Sequence, residues 1–216
     1  MSITLSYTYY DNFKQLKYLT NLYKNTDYKF IVVDDASPKR PLDANDVPDN
    51  WSLYRVTKDV GWNCEGCRNL IAKVCDTKWI AFFDMHYVLI DDIDLDDHEE
   101  DCIYFFDDYK NNSPTRLPPK NFYHDQIYTT KEYFWKCGGY DETHIGYYGL
   151  DGLLVRANFR YNISEFRIKS IKSIDKNYEI EQAERKYTLG KDNPNIVLPD
   201  LPKSNDKIRF PWIKIK

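Results

Sequence analysis

Phe30-Ile31-Val32-Val33-Asp34-Asp35 and Trp79-Ile80-Ala81-Phe82-Phe83-Asp84-Met85-His86 are the two stretches that decide the fold. Each is a near-continuous apolar run, too short for a helix, that ends on acidic residues. Such runs mark strands buried on both faces, the condition of strands inside a parallel sheet. Working outward, Ile3 to Tyr9 reads as a first strand, and Phe13, Leu16, Leu19, Leu22 and Tyr23 follow as one face of a helix. Leu53 to Val56 suggests another strand, and Cys67, Leu70, Ile71 and Val74 recur at helical spacing after it. Strands alternating with helices imply an α/β fold with a mostly parallel, Rossmann-like sheet flanked by helices.

No repeat or low-complexity linker divides the 216 residues, so one compact domain is expected, with residues 1–115 as its ligand-binding half and 116–216 as a second half and tail. The second half carries an acidic stretch from Asp91 to Asp101 on its approach, a Pro-containing loop around Asn112 to Pro119 and an aromatic, glycine-containing segment from Phe122 to Tyr148. The acidic stretch lacks the spacing of a twelve-residue calcium loop and reads as a solvated turn. Residues Ile208 to Ile215 alternate apolar positions around Pro211, which suggests an edge strand or a docked extended tail.

Composition narrows the function. With 42% hydrophobic residues the chain can bury a continuous core, and a net charge of −4 argues against a broad phosphate-binding face for nucleic acid. The longest apolar runs are far too short to span a membrane, and Met1 to Tyr10 lacks the pattern of a secretion signal. Five scattered cysteines fit a reducing compartment, and a cytoplasmic location is expected.

In an open parallel sheet, ligands bind beyond the carboxyl ends of the strands, which directs attention to Asp34-Asp35 and Asp84-Met85-His86. An acid there also serves as a helix cap or turn residue. If the chain stays extended through Met85, Asp84 and His86 point the same way and converge on one divalent ion.

The order of several short motifs resembles that of family 2 glycosyltransferases and their relatives, which have the GT-A fold. These are Val33-Asp34-Asp35-Ala36-Ser37, Gly61-Trp62-Asn63, Gly66-Cys67-Arg68-Asn69, Asp84-Met85-His86, Gly138-Gly139-Tyr140-Asp141-Glu142 and Tyr148-Gly149-Leu150-Asp151-Gly152. His86 stands where these enzymes usually have a second Asp, and Asp-x-His is similar to the metal motif of polypeptide N-acetylgalactosaminyltransferases. Leu150 replaces the usual Glu before Asp151, and no histidine after His144 is available as a further metal ligand.

The resemblance implies sugar transfer from a nucleotide-diphosphate sugar, a UDP-sugar being favoured, to an acceptor hydroxyl. The acceptor is left open among a glycan, a lipid-linked sugar, a protein and a modified nucleobase. It further implies that Asp84 and His86 hold Mn2+ or Mg2+, that Asp35 binds the donor base with Ser6 and Tyr9 lining its pocket, and that Arg68 faces the diphosphate. Asp34, Trp62, Asn63 and Gly149 belong to the same binding blocks. Asp151 would be the base of an inverting displacement, a role compatible with capping the segment that follows it. Trp135, Tyr147 and Tyr148 are aromatic candidates for stacking on an acceptor sugar, with core packing the alternative. Gly138 and Gly139 read as turn-forming positions.

Two rivals come from other readings of the same residues. Cys64-Glu65-Gly66-Cys67 is a C-x-x-C, the pattern of a thiol-disulfide oxidoreductase, although Cys67 also lies on the apolar stripe of its helix. A nucleotide-sugar-binding pseudoenzyme is the other, because the Asp-x-Asp is altered.

Overall fold

The computed structural model describes residues 3–108, 126–140, 142, 145–146, 163–173 and 207–216. The expected alternation is present: β1 (Ile3–Tyr9), α1 (Phe13–Leu22), β2 (Lys29–Asp34), β3 (Trp51–Val56), α2 (Cys64–Val74) and β4 (Trp79–Asp84). These are followed by β5 (Tyr87–Leu89), β6 (Ile103–Asp108), β7 (Ile127–Thr130), α3 (Lys131–Lys136), β8 (Ile163–Ser173) and β9 (Trp212–Lys214). All nine strands form one sheet in the order β5-β8-β6-β7-β4-β1-β2-β3-β9.

The sheet is mixed, with the expected parallel block within it. β4, β1, β2 and β3 run parallel to one another, as does the β6/β8 pair, whereas β7 is antiparallel to both β4 and β6, β5 to β8, and β9 to β3. The parallel block is the part built from β-α units, since parallel neighbours need a crossover. The tail forms the edge strand β9, with Pro211 just outside it and the Pro211 carbonyl accepting the Thr57 N–H at 2.9 Å.

Side-chain alternation splits the core into two layers. Leu5, Tyr7, Tyr9, Phe30, Val32, Leu53, Ala81 and Phe83 point to one face, where α1 supplies Leu16 and Leu19. Ile31, Val33, Tyr54, Val56, Ile80 and Phe82 point to the other, where α2 supplies Cys67, Leu70 and Ile71 and α3 supplies Tyr133 and Phe134. Burial on both faces explains why the strands read as unbroken apolar runs. In the acidic stretch, Asp91, Asp92, Asp94, Asp96 and Asp97 are exposed in irregular chain. No helix among the described residues is long and apolar enough to cross a membrane.

Candidate functional site

The carboxyl ends of β1, β2 and β4 lie side by side, with Tyr9 opposite Asp34 and Thr8 opposite Asp84 in the strand ladders. The two acids nevertheless face different layers. Asp34 is fully buried on the α1 side, where one carboxylate oxygen accepts the Ser37 N–H at 2.9 Å. Its other oxygen accepts the Leu42 N–H at 2.9 Å and Arg55 Nε at 3.2 Å. Asp34, expected from the sequence to bind substrate, is engaged by the protein's own donors and fastens the loop that follows β2, in which Ala36 adopts a φ of 53°.

Two further candidates, Ser6 and Tyr9, are engaged with main-chain carbonyls. Ser6 sits in the middle of β1, and its hydroxyl donates to the Ala81 carbonyl at 2.8 Å. Tyr9 is fully buried in the α1-side core, with its hydroxyl donating to the Arg40 carbonyl at 2.8 Å; burial and the nearby Asp34 charge raise its pKa. Tyr9 thus faces away from Asp84, whereas Ser6 shares its face but lies further back in the strand, with its hydroxyl committed to the Ala81 carbonyl. Thr8, at the carboxyl end of β1, shares the Asp84 face with Ser6, and its buried hydroxyl has no hydrogen-bond partner.

The α2 side gathers the remaining candidates. Asp35 follows β2 with 2% exposure and accepts a hydrogen bond from Asn63 Nδ2 at 3.3 Å. Asn63 is the residue preceding α2, and the turn before it needs Gly61, whose φ is 85°. Trp62 is half-buried, and its carbonyl accepts the Gly146 N–H at 2.6 Å.

One turn into α2, Arg68 is 2% exposed, so it is no surface cation. It donates through NH2 to Asp84 Oδ1 at 3.1 Å and through NH1 to the Tyr140 hydroxyl at 3.1 Å, with its guanidinium 5.5 Å from the Tyr140 ring centre. The second Asp84 oxygen accepts Gln126 Nε2 at 2.9 Å, and the Asp84 N–H donates to Gln126 Oε1 at 2.8 Å. Asp84 is thus held from two sides while 28% of its side chain stays exposed.

His86 does not continue the strand. Met85 and His86 form the turn between β4 and β5, so the extended geometry that would align His86 with Asp84 is absent, and the imidazole lies against the Tyr87 ring at 4.3 Å. No cluster of three or more His, Cys, Asp or Glu residues able to hold a metal occurs among the described residues. Asp84 still fits an ion recruited together with substrate phosphates. A carboxylate has about four lone-pair positions, and magnesium-type sites use one or two carboxylates plus phosphates rather than protein cages.

Asn69, next to Arg68, ties the glycine turn to the helix. It accepts the Tyr140 N–H at 2.8 Å and donates to the Tyr140 carbonyl at 3.0 Å and to Glu142 Oε1 at 2.7 Å. Gly138 and Gly139 have φ of 90° and 64°, and a Cβ on Gly139 would meet Asn69 Oδ1 at 2.8 Å and Trp135 at 2.9 Å. Trp135 is half-buried and packs against the second core layer, edge-on to Phe134 at 5.1 Å. Glu142, 2% exposed, receives the Ile208 and Arg209 N–H groups and so clamps the C-terminal segment.

Tyr147, Tyr148, Gly149 and Asp151 lie outside the described residues. Gln126, Tyr140, Glu142 and Thr8 were missed as site residues by sequence reasoning. Tyr140 and Glu142 stand inside a quoted motif and were signalled there, whereas nothing local marks Gln126, which reaches Asp84 from 42 residues away. All five cysteines are buried and outside disulfides, and Cys64 and Cys67 both lie in α2. Reactive thiol pairs need access and an electropositive setting, so this arrangement disfavours the oxidoreductase reading.

No family profile matches the chain, and no curated protein matches it. Among solved structures, the chain is similar to the galactosyltransferase LgtC in complex with donor and acceptor sugar analogs. The TM-score is 0.37 and the identity 12%, over 62% of this chain and 59% of that one. The chain thus spans about three-fifths of that protein's length, and so remote a likeness carries no weight for function.

Proposed function

We propose that the chain is a glycosyltransferase of the GT-A type, moving a sugar from a nucleotide-diphosphate sugar, with UDP-sugars favoured, to an acceptor hydroxyl. The observation that supports this reading most is the convergence of Asp35 with Asn63, and of Asp84 with Arg68, on one layer at the carboxyl ends of the parallel strands. The motifs carrying Asp35 and Asn63 touch each other, as do those carrying Arg68, Asp84 and Tyr140.

In this reading Asp35 accepts a donor N–H of the base, and Asn63 orients its carboxylate. Arg68 supplies fixed positive charge near the diphosphate, and a preorganised cation there stabilises the charge that grows on the leaving group. Mn2+ or Mg2+ arriving with the nucleotide would be held by Asp84, with His86 in the adjoining turn, and would neutralise phosphate charge. Asp151 takes the proton of the attacking acceptor hydroxyl, a general-base contribution of about 10²- to 10⁴-fold. Inversion at the anomeric carbon follows from a single displacement.

Calorimetry with UDP, GDP and their sugar conjugates, with manganese or with chelator, tests donor binding, and Asp151→Asn tests the base. Tight binding of one nucleotide, with transfer reduced by roughly 10²-fold or more in the variant at unchanged donor affinity, is expected. Absence of binding by every nucleotide would overturn the reading. Tight donor binding with no transfer to any acceptor would instead favour the pseudoenzyme.

A further inference from the structure

We propose that Gln126 is the positioning residue of Asp84, setting the direction of its carboxylate toward the diphosphate and the ion that accompanies it. The inference rests on the transferase reading above.

The geometry begins with the sheet. β7 pairs with β4 from Thr130 opposite Trp79 to Ile127 opposite Phe82, and the ladder ends there. The Asp84 N–H lies beyond the last rung, and an unpaired backbone donor in a part-buried place is costly. Gln126, immediately before β7, supplies the missing partner with its side chain. Its Oε1 accepts the Asp84 N–H at 2.8 Å while its Nε2 donates to Asp84 Oδ2 at 2.9 Å. The two bonds close a ring through a single residue, which fixes both torsions of the Asp84 side chain.

A carboxamide offers a donor and an acceptor side by side, which an ionised carboxylate does not. Gln126 is itself 5% exposed, and its main-chain carbonyl accepts the Phe106 N–H at 3.3 Å, so the backbone that carries the side chain is tied to β6. Arg68 holds the other carboxylate oxygen from α2. Each Asp84 oxygen thus has one protein partner and keeps a lone-pair position, and 28% of the side chain stays exposed.

Gln126→Met keeps the buried volume and removes both bonds, and Gln126→Glu keeps an acceptor for the Asp84 N–H while losing the donor to Oδ2. The readout is calorimetric affinity for three probes: uridine, UDP with chelator and UDP with manganese. Both variants are expected to bind uridine as the wild type does and to lose the manganese-dependent gain in UDP affinity by roughly 10-fold or more, the usual effect of removing a residue that orients a metal-binding carboxylate. A full manganese-dependent gain in both variants would overturn the proposal, as would an equal loss for uridine and UDP, which marks a general structural role. A wild-type protein that binds none of the three probes would overturn the transferase reading itself.

Discussion

Gly66→Ala should destabilise the protein even though helix propensity alone favours it. Gly66 is the third residue of α2, where replacing glycine by alanine ordinarily gains about 1 kcal/mol. Here the added Cβ would lie 2.1 Å from Asn63 Oδ1 and 2.5 Å from Phe210 Cε1. Ordinary contact starts near 3.4 Å, so both neighbours must retreat. Neither has room, because Asn63 is 0% and Phe210 3% exposed.

Overpacking of this kind costs about 1–3 kcal/mol. Displacing Asn63 also breaks its bond to the Asp35 carboxylate, and a hydrogen bond to a charged group contributes about 1.5–3 kcal/mol. Taking the low end of each and subtracting the propensity gain leaves a net loss of at least about 1.5 kcal/mol. For a chain of this size that corresponds to a fall in Tm of about 3 °C or more. Urea unfolding followed by circular dichroism measures the loss directly. Phe210→Ala should cost less in the Gly66→Ala background than in the wild type, because the cavity then accepts the new methyl. Equal or greater stability of Gly66→Ala would refute the close packing of the tail on the first turn of α2.

Two further outcomes follow from buried groups. Glu142→Ala strips the carboxylate from the Ile208, Arg209 and Asn69 donors and should cost about 3–5 kcal/mol in urea unfolding, with trypsin gaining access after Lys207 and Arg209; a tail that stays resistant would count against the clamp. Burial raises the pKa of Tyr7, Tyr9 and Tyr128, and that of Tyr23 to about 12, so the folded state keeps phenolic protons that the unfolded chain releases. Stability is therefore full below pH ~10 and falls as pH rises above it, and the share of the phenolate absorbance that belongs to these buried tyrosines should appear together with loss of circular dichroism rather than ahead of it.

The parallel block was legible because each of its strands is an uninterrupted apolar run and each helix carries a clean stripe. β9 was legible from the alternation around Pro211. The antiparallel β7 was harder to read: Ile127 to Thr130 has four buried residues and no alternation, and its partner strands β4 and β6 lie on either side of it in space but far away in sequence. The pairing of Asp84 with Gln126 was hidden by the same fact. Local motif blocks record which residues sit at strand ends, whereas the groups that hold them come from whatever strand the sheet places alongside.

The two acids at the ends of β2 and β4 show how far such reading extends. In a strand with one wet face, polar and apolar positions alternate, and the parity of an end residue can be counted from the pattern. In β2, Phe30 and Val32 fill one layer and Ile31 and Val33 the other, so every position is apolar and the parity carries no signal. Asp34 and Asp84 therefore look equivalent in sequence, each the first acid after a buried run. The sheet register separates them: Asp34 falls in phase with Tyr9 and Arg55 on the α1 side, and Asp84 in phase with Thr8 beneath Arg68 on the α2 side. Asp35 escapes the same fate as Asp34 because it lies one residue beyond the strand, where the chain turns and its side chain meets Asn63. The second acid of the pair is thus the one that belongs to the candidate site, and the first is what holds the loop in place so that the second can reach it.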